Sequence, residues 1–215
     1  SMRTEKPPAG EYVEQEKWDL LVEIDSSTLL SLKKASQEQD VGLLINSLAL
    51  EEQEWDKLIS DKPRFAERVV AAEYLSALSE KAVKNITLEG ISKLVDYFRN
   101  VSTAFNDFFT APQLLAFLGR VGLATTDKKT SEAIENLFVF LESRTTRNTA
   151  HDIKFEIAKT LAGFKKFDDA VKLLEGYRKA ARDYPDIAYA VIRILSEIPT
   201  TSSARLLAAY AQDER

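Results

Sequence analysis

The chain has 215 residues, 45% hydrophobic and 29% charged, which is enough apolar content for a core and excludes a chain disordered throughout. It has no cysteine and one histidine, so disulfides, thiolate metal sites and multi-histidine sites are excluded. The net charge of −5 argues against a nucleic-acid binder overall.

Seven glycines and six prolines are too few for the frequent turns of an all-β chain, so helices joined by short corners are expected. Charge is unevenly spread. Residues 1–143 carry 16 basic and 24 acidic side chains, and residues 144–215 carry 13 and 10. An anionic partner would therefore be favoured only by the last third. No apolar run approaches the ~18 residues of a membrane span, and no signal-peptide pattern is present.

In chain order, residues 1–10 read as a cloning remnant and a linker, with Pro7 and Pro8 in "RTEKPPAGEY". Such a linker is compatible with an upstream domain or anchor. Residues 11–61 read as an irregular helical cap: "EYVEQEKWDLLVEI" predicts one helix, "SSTLLSLKKASQEQ" a second capped by Ser26 or Ser27, and "DVGLLINSLALEEQEWDKLIS" a third. Trp18, Leu21 and Val22 are expected to pack on Leu29, Leu30 and Leu32. Glu51, Glu52 and Glu54 read as a solvated acidic face, with Trp55 partly exposed beside them.

From residue 62 to 215 the chain predicts four helical hairpins, at about 63–100, 104–143, 148–182 and 185–213. Pro63, Pro112 and Pro185 each suit a first helical turn, where the missing N–H is no loss. The third hairpin starts instead at Asn148 or Thr149, both good caps. The first helices share an apolar triplet at i, i+4 and i+7: Ala71/Leu75/Leu78, Leu114/Leu118/Val121, Ile157/Leu161/Phe164 and Val191/Leu195/Ile198. The second helices share two adjacent apolar residues and a third three positions on: Leu94/Val95/Phe98, Leu137/Phe138/Leu141, Leu173/Leu174/Tyr177 and Leu206/Leu207/Tyr210. Alternating families of this kind predict a stack in which each hairpin covers its neighbour's apolar stripe.

The central leucines of the first family recur at intervals of 43, 43 and 34 residues. This pattern, over residues 63–215, resembles HEAT and armadillo repeats in its longer units. "LAGFKKFDDAVKLLEGYRKAARDYP" resembles a tetratricopeptide unit through Tyr177, Ala181 and Pro185, but departs from it at Leu173 and Leu174. The resemblance implies an all-α fold, an α-α superhelix (solenoid) of HEAT-like hairpins behind an irregular helical cap.

No catalytic constellation stands out. His151 sits at a predicted helix start beside Asp152, where a first-turn polar residue is ordinary. Gly119 and Gly122 of "FLGRVG" read as helix terminators, not a phosphate loop. Asp168 and Asp169 are adjacent, so they point about 100° apart on a helix and suit its N-terminal dipole. Among the aromatics, Phe105, Phe108 and Phe109 of "AFNDFFTAP" are expected to plug the corner between hairpins rather than form an exposed patch. The candidate partner-binding set is basic: Lys165, Lys166, Lys172, Arg178, Lys179 and Arg182. On one helix starting near Phe167, Lys172 and Lys179 would share a face and Arg178 and Arg182 another.

The expected function is a non-enzymatic scaffold that binds another protein or peptide, with no cofactor or metal. A nucleic-acid-binding or glycosylase-type enzyme using the basic C-terminal face is the alternative, and a tethered cell-envelope module a third. A cytoplasmic location is expected, or a periplasmic or envelope-tethered one through the N-terminal linker.

Overall fold

The computed structural model describes residues 19–51, 57, 60–101, 104, 105 and 107–213, and among these the regular structure is helical, with no strand. The expectations for Trp18, Glu52, Glu54 and Trp55 fall outside the described residues.

Helix α1 (Ser26–Glu38) is capped by Asp25, not by Ser26 or Ser27: the Asp25 carboxylate accepts the Thr28 N–H at 2.8 Å. That bond, reinforced by the Ser27 and Thr28 hydroxyls, holds the carboxyl below its ordinary range. Helix α1 ends at Gln39 in the left-handed region, and Asp40 at once caps α2 (Val41–Asn46). The long third helix expected here is cut short, because Ala49 takes a φ of 51° that no helix continues through. Leu21 packs against the core that holds buried Leu32, but Val22 is 80% exposed and Leu30 65%, so these two take no part in the expected clasp.

Helix α3 (Lys62–Ser76) starts with Asp61 accepting the Arg64 N–H and Pro63 in its first turn. A short α4 (Glu80–Lys84) leads to α5 (Leu88–Asn100); Ser79 and Thr87 cap the two. Then follow α6 (Ala111–Ala124), α7 (Lys128–Arg144) and α8 (His151–Gly163). Helix α8 begins after Ala150 with no side-chain cap; the Thr149 hydroxyl instead accepts the Thr146 N–H. The remaining helices are α9 (Phe167–Glu175), α10 (Arg178–Asp183), α11 (Pro185–Ser196) and α12 (Thr201–Asp213).

Spatial neighbours are close in chain order. Helices α1, α3, α6, α8 and α11 each pack on the next, and α2, α5 and α7 do the same on the other side. Helices α6 and α7, α8 and α9, and α11 and α12 pair within their hairpins. All four triplets of the first family are buried except for half-buried Phe164, and the second family's Leu94, Phe98, Leu137, Phe138, Leu141, Leu174 and Tyr210 are buried too. Hydrophobic burial at ~25 cal/mol per Å2 is the main force holding these stripes together.

Two glycines correct the sequence reading. Gly119 and Gly122 lie inside α6, fully within the core, and terminate nothing. A methyl at Gly119 would fall on the Thr160 hydroxyl of α8, and one at Gly122 would lie 2.6 Å from Ile134 Cγ2 of α7. The missing side chains let α6 approach both partners. Arg120, between them, donates to the Ser76 and Leu78 carbonyls at 2.7 and 2.6 Å, satisfying acceptors at the C-terminal end of α3 from the next hairpin.

Candidate docking surfaces

One buried cation organises the wall of a depression between α2 and α5. Arg68 lies on the apolar face of α3, three residues after Phe65 and four before Ala72, and is 1% exposed. Its Nε donates to Asp107 Oδ2 at 2.9 Å and its Nη2 to the Tyr97 hydroxyl of α5 at 2.9 Å. Nη1 donates to the Leu48 carbonyl and, at 3.2 Å, to that of Ala49. Asp107 also accepts the N–H groups of Phe109 and Thr110 and the Thr110 hydroxyl. Every charge of the pair is thus matched by a polar group, which a buried ion pair requires. The same contacts hold Ala49 in its left-handed conformation. Burial raises the Tyr97 phenol above its usual range, Arg68 opposing and Asp107 adding to the shift.

Ala49 and Tyr97 also line a depression of about 570 Å3 between α2 and α5, with Ile45, Leu50, Lys93 and Asp96. A second hollow, of about 240 Å3, opens between the C-terminal ends of α5 and α7. Asn100 and Val101 line both, so the two hollows adjoin at the end of α5; together they are termed the trough. In the second hollow the guanidinium carbons of Arg99 and Arg144 lie 5.1 and 5.2 Å from the centre of one ring, that of Phe140.

The basic set read from the sequence is spread over two helices and the corner before them. The expected single helix is broken at Gly176 and Tyr177, so Lys172 stands on α9 and Lys179 on α10, and their seven-residue spacing no longer defines a shared face. Lys165 sits in the α8–α9 corner with a φ of 62°. Lys166 faces Glu135 of α7 at 3.5 Å, and Arg178 grips Asp213 of α12 through two hydrogen bonds of 2.9 and 3.1 Å. Arg178 and Arg182 line a third groove, of about 490 Å3, with Tyr189, Ile192, Tyr210 and Asp213. Lys165, Lys172 and Lys179 are exposed.

Other candidates resolve into structural roles. His151 begins α8 as expected, with its Nε2 3.2 Å from Asp152 Oδ1 and its ring 5.7 Å from that of Phe155. Asp168 and Asp169 occupy the first turn of α9, at the positive end of its dipole. Phe105 and Phe109 are half-buried, Phe109 edge-on to Phe65 at 5.4 Å; Phe108 is 43% exposed and plugs nothing. Among the described residues no group of three His, Asp or Glu side chains is placed to hold a metal, and no helix is long and apolar enough to cross a membrane.

Asp107 and Arg68 escaped the sequence reading. The available signal was a single arginine set into the apolar stripe of "RFAERVVAAEYL", which must find a partner, although the sequence gives no indication that it lies 39 residues away. Comparison with protein-family models, curated proteins and solved structures returns no match.

Proposed function

We propose that the chain is a short HEAT-like superhelical stack, an irregular helical cap over residues 11–61 followed by four hairpins, and that it works as a non-enzymatic scaffold. Its trough across α2, α5 and α7 takes an extended segment of another protein. The observation that carries this reading is that two neighbouring hollows share Asn100 and Val101 in their linings. The packing order supports it as well, since helices whose neighbours are close in sequence suit an elongated pile with a surface groove. An extended peptide fits a long, shallow, mixed surface of this kind better than a small molecule, which favours an enclosed pocket.

Two measurements test this. Small-angle scattering from the purified chain should give a skewed distance distribution with a long tail; a symmetric one would remove the stack. Affinity capture from the native lysate, with the wild type and Asn100→Trp as baits, should recover a partner that the filled trough loses. Equal recovery by both baits would remove the trough. Asn100 is exposed, so the variant leaves the core intact.

A further inference from the structure

We infer that the α5–α7 end of the trough is a carboxylate-recognising subsite, which seats an apolar side chain of a bound peptide with an Asp or Glu beside it. This rests on the scaffold reading above and names its partner's chemistry. Arg99 and Arg144 come from the last turns of two different helices and converge on the Phe140 ring. A last-turn arginine already suits the negative end of its own helix. That role does not require two like charges to share one ring at the mouth of a hollow.

Neither guanidinium forms an ion pair among the described residues, whereas Arg68, Arg120 and Arg178 all do. Among the described residues no carboxylate lies within ion-pair distance of either, so an anion placed at the mouth would meet two uncompensated positive charges. Stacking on Phe140 keeps both side chains ordered while leaving their N–H edges free, and a guanidinium edge matches a carboxylate in a bidentate fork.

Below the arginines the hollow turns apolar: Phe98, Ala104 and Leu141 are buried in its floor, and Phe105 and Val101 form its sides. A volume of about 240 Å3 suits one large side chain. An apolar floor under a cationic rim selects a ligand group of the same two-part character. The far end of the trough carries Glu51 and Asp96 beside Arg64 and Lys93. A polyanion lying along its whole length would meet those carboxylates, so a nucleic acid fits poorly. The direction follows: the acidic residue of the peptide lies at α7, and the uncharged remainder runs towards α2.

The test uses the full chain and a fluorescent peptide with one leucine and one adjacent glutamate at one end and an uncharged serine and alanine remainder, read by anisotropy at low and moderate salt. Its counterpart with lysine for glutamate, inorganic phosphate, and vesicles of phosphatidylcholine with phosphatidylserine are the other probes. The wild type should bind the acidic peptide and not the basic one, more weakly as salt rises. Arg99→Gln with Arg144→Gln should weaken binding by roughly 10- to 100-fold, while Lys172→Gln with Lys179→Gln leaves it within about twofold. Both pairs are exposed and should fold normally, which circular dichroism checks. Acidic-peptide binding that survives the Arg99/Arg144 change but is lost in Asn100→Trp would overturn the subsite and keep the scaffold. Binding of phosphate or vesicles in preference to the peptide would also overturn it. A wild type that captures a protein partner yet ignores the acidic peptide would have the same consequence.

Discussion

The guanidinium of Arg68 and the carboxylate of Asp107 meet at 2.9 Å, 39 residues apart in sequence, and each is only 1% exposed. The pair joins α3 to the corner before α6, and its remaining bonds reach Tyr97 and the backbone after α2. Four segments are therefore tied at one point beneath the trough. Removing either partner strands a buried charge, so Arg68→Met and Asp107→Asn should each cost about 3–5 kcal/mol in urea unfolding. The double variant should cost less than the two together, with a coupling of about 2 kcal/mol. Strict additivity would mean the two side chains do not depend on each other.

Whatever repeats along the chain could be read from it; whatever depends on two distant residues could not. The triplets centred on Leu75, Leu118, Leu161 and Leu195 are buried, half-buried Phe164 apart, because period and hydrophobicity are local properties. Gly119 was misread because a glycine's role inside a helix is set by what approaches it, and Thr160 lies on another hairpin. Likewise "FDDAVKLLEGYRKAARD" has one unbroken charge pattern, yet the backbone stops at Glu175 and restarts at Arg178. The trough's arginines, Arg99 and Arg144, sit 45 positions apart, and only the packing of α5 on α7 brings them to one ring.

Gly119 makes the closeness of α6 and α8 testable. Gly119→Ala adds a methyl where the Thr160 hydroxyl already sits, and the clash should outweigh alanine's better helix propensity, costing about 1–3 kcal/mol. Thr160→Ala removes that hydroxyl and leaves only its Cβ, at 3.4 Å from the added methyl. Combining the two should recover most of the loss in thermal unfolding. Failure of the second change to rescue the first would show that the helices part rather than clash.

Arg178 and Asp213 give a signed pH effect. The Arg178 hydrogen bond, with its charge and that of Arg182, holds the Asp213 carboxyl below its ordinary 3.8. The folded chain thus releases this proton more readily than the unfolded one. The contact between α10 and α12 adds stability above pH 3.8 and loses it as pH falls through the lower folded value. Carboxyl carbon shifts followed by NMR should show Asp213 titrating below 3.8. Arg178→Gln should move it back towards 3.8.

Tyr210 works at the opposite end of the scale. It is 3% exposed, its hydroxyl donates to the Leu174 carbonyl at 3.0 Å, and burial pushes the phenol up to about 12, with Arg178 opposing and Asp213 adding to the shift. The folded state therefore favours the neutral ring. Its contribution is complete below the unfolded value of 10.0 and is lost as pH rises through about 12. Tyr210→Phe keeps the packing of α12 on α9 but removes one of the hydrogen bonds that the Leu174 carbonyl accepts, leaving the longer one from the Tyr177 N–H, at a cost of about 1 kcal/mol at neutral pH. Phenylalanine cannot ionise, so the deficit of Tyr210→Phe should shrink between pH 10 and 12. Unfolding free energies of the two proteins across that interval measure the change directly. A deficit that stays constant would place the Tyr210 hydroxyl in water rather than on the end of α9.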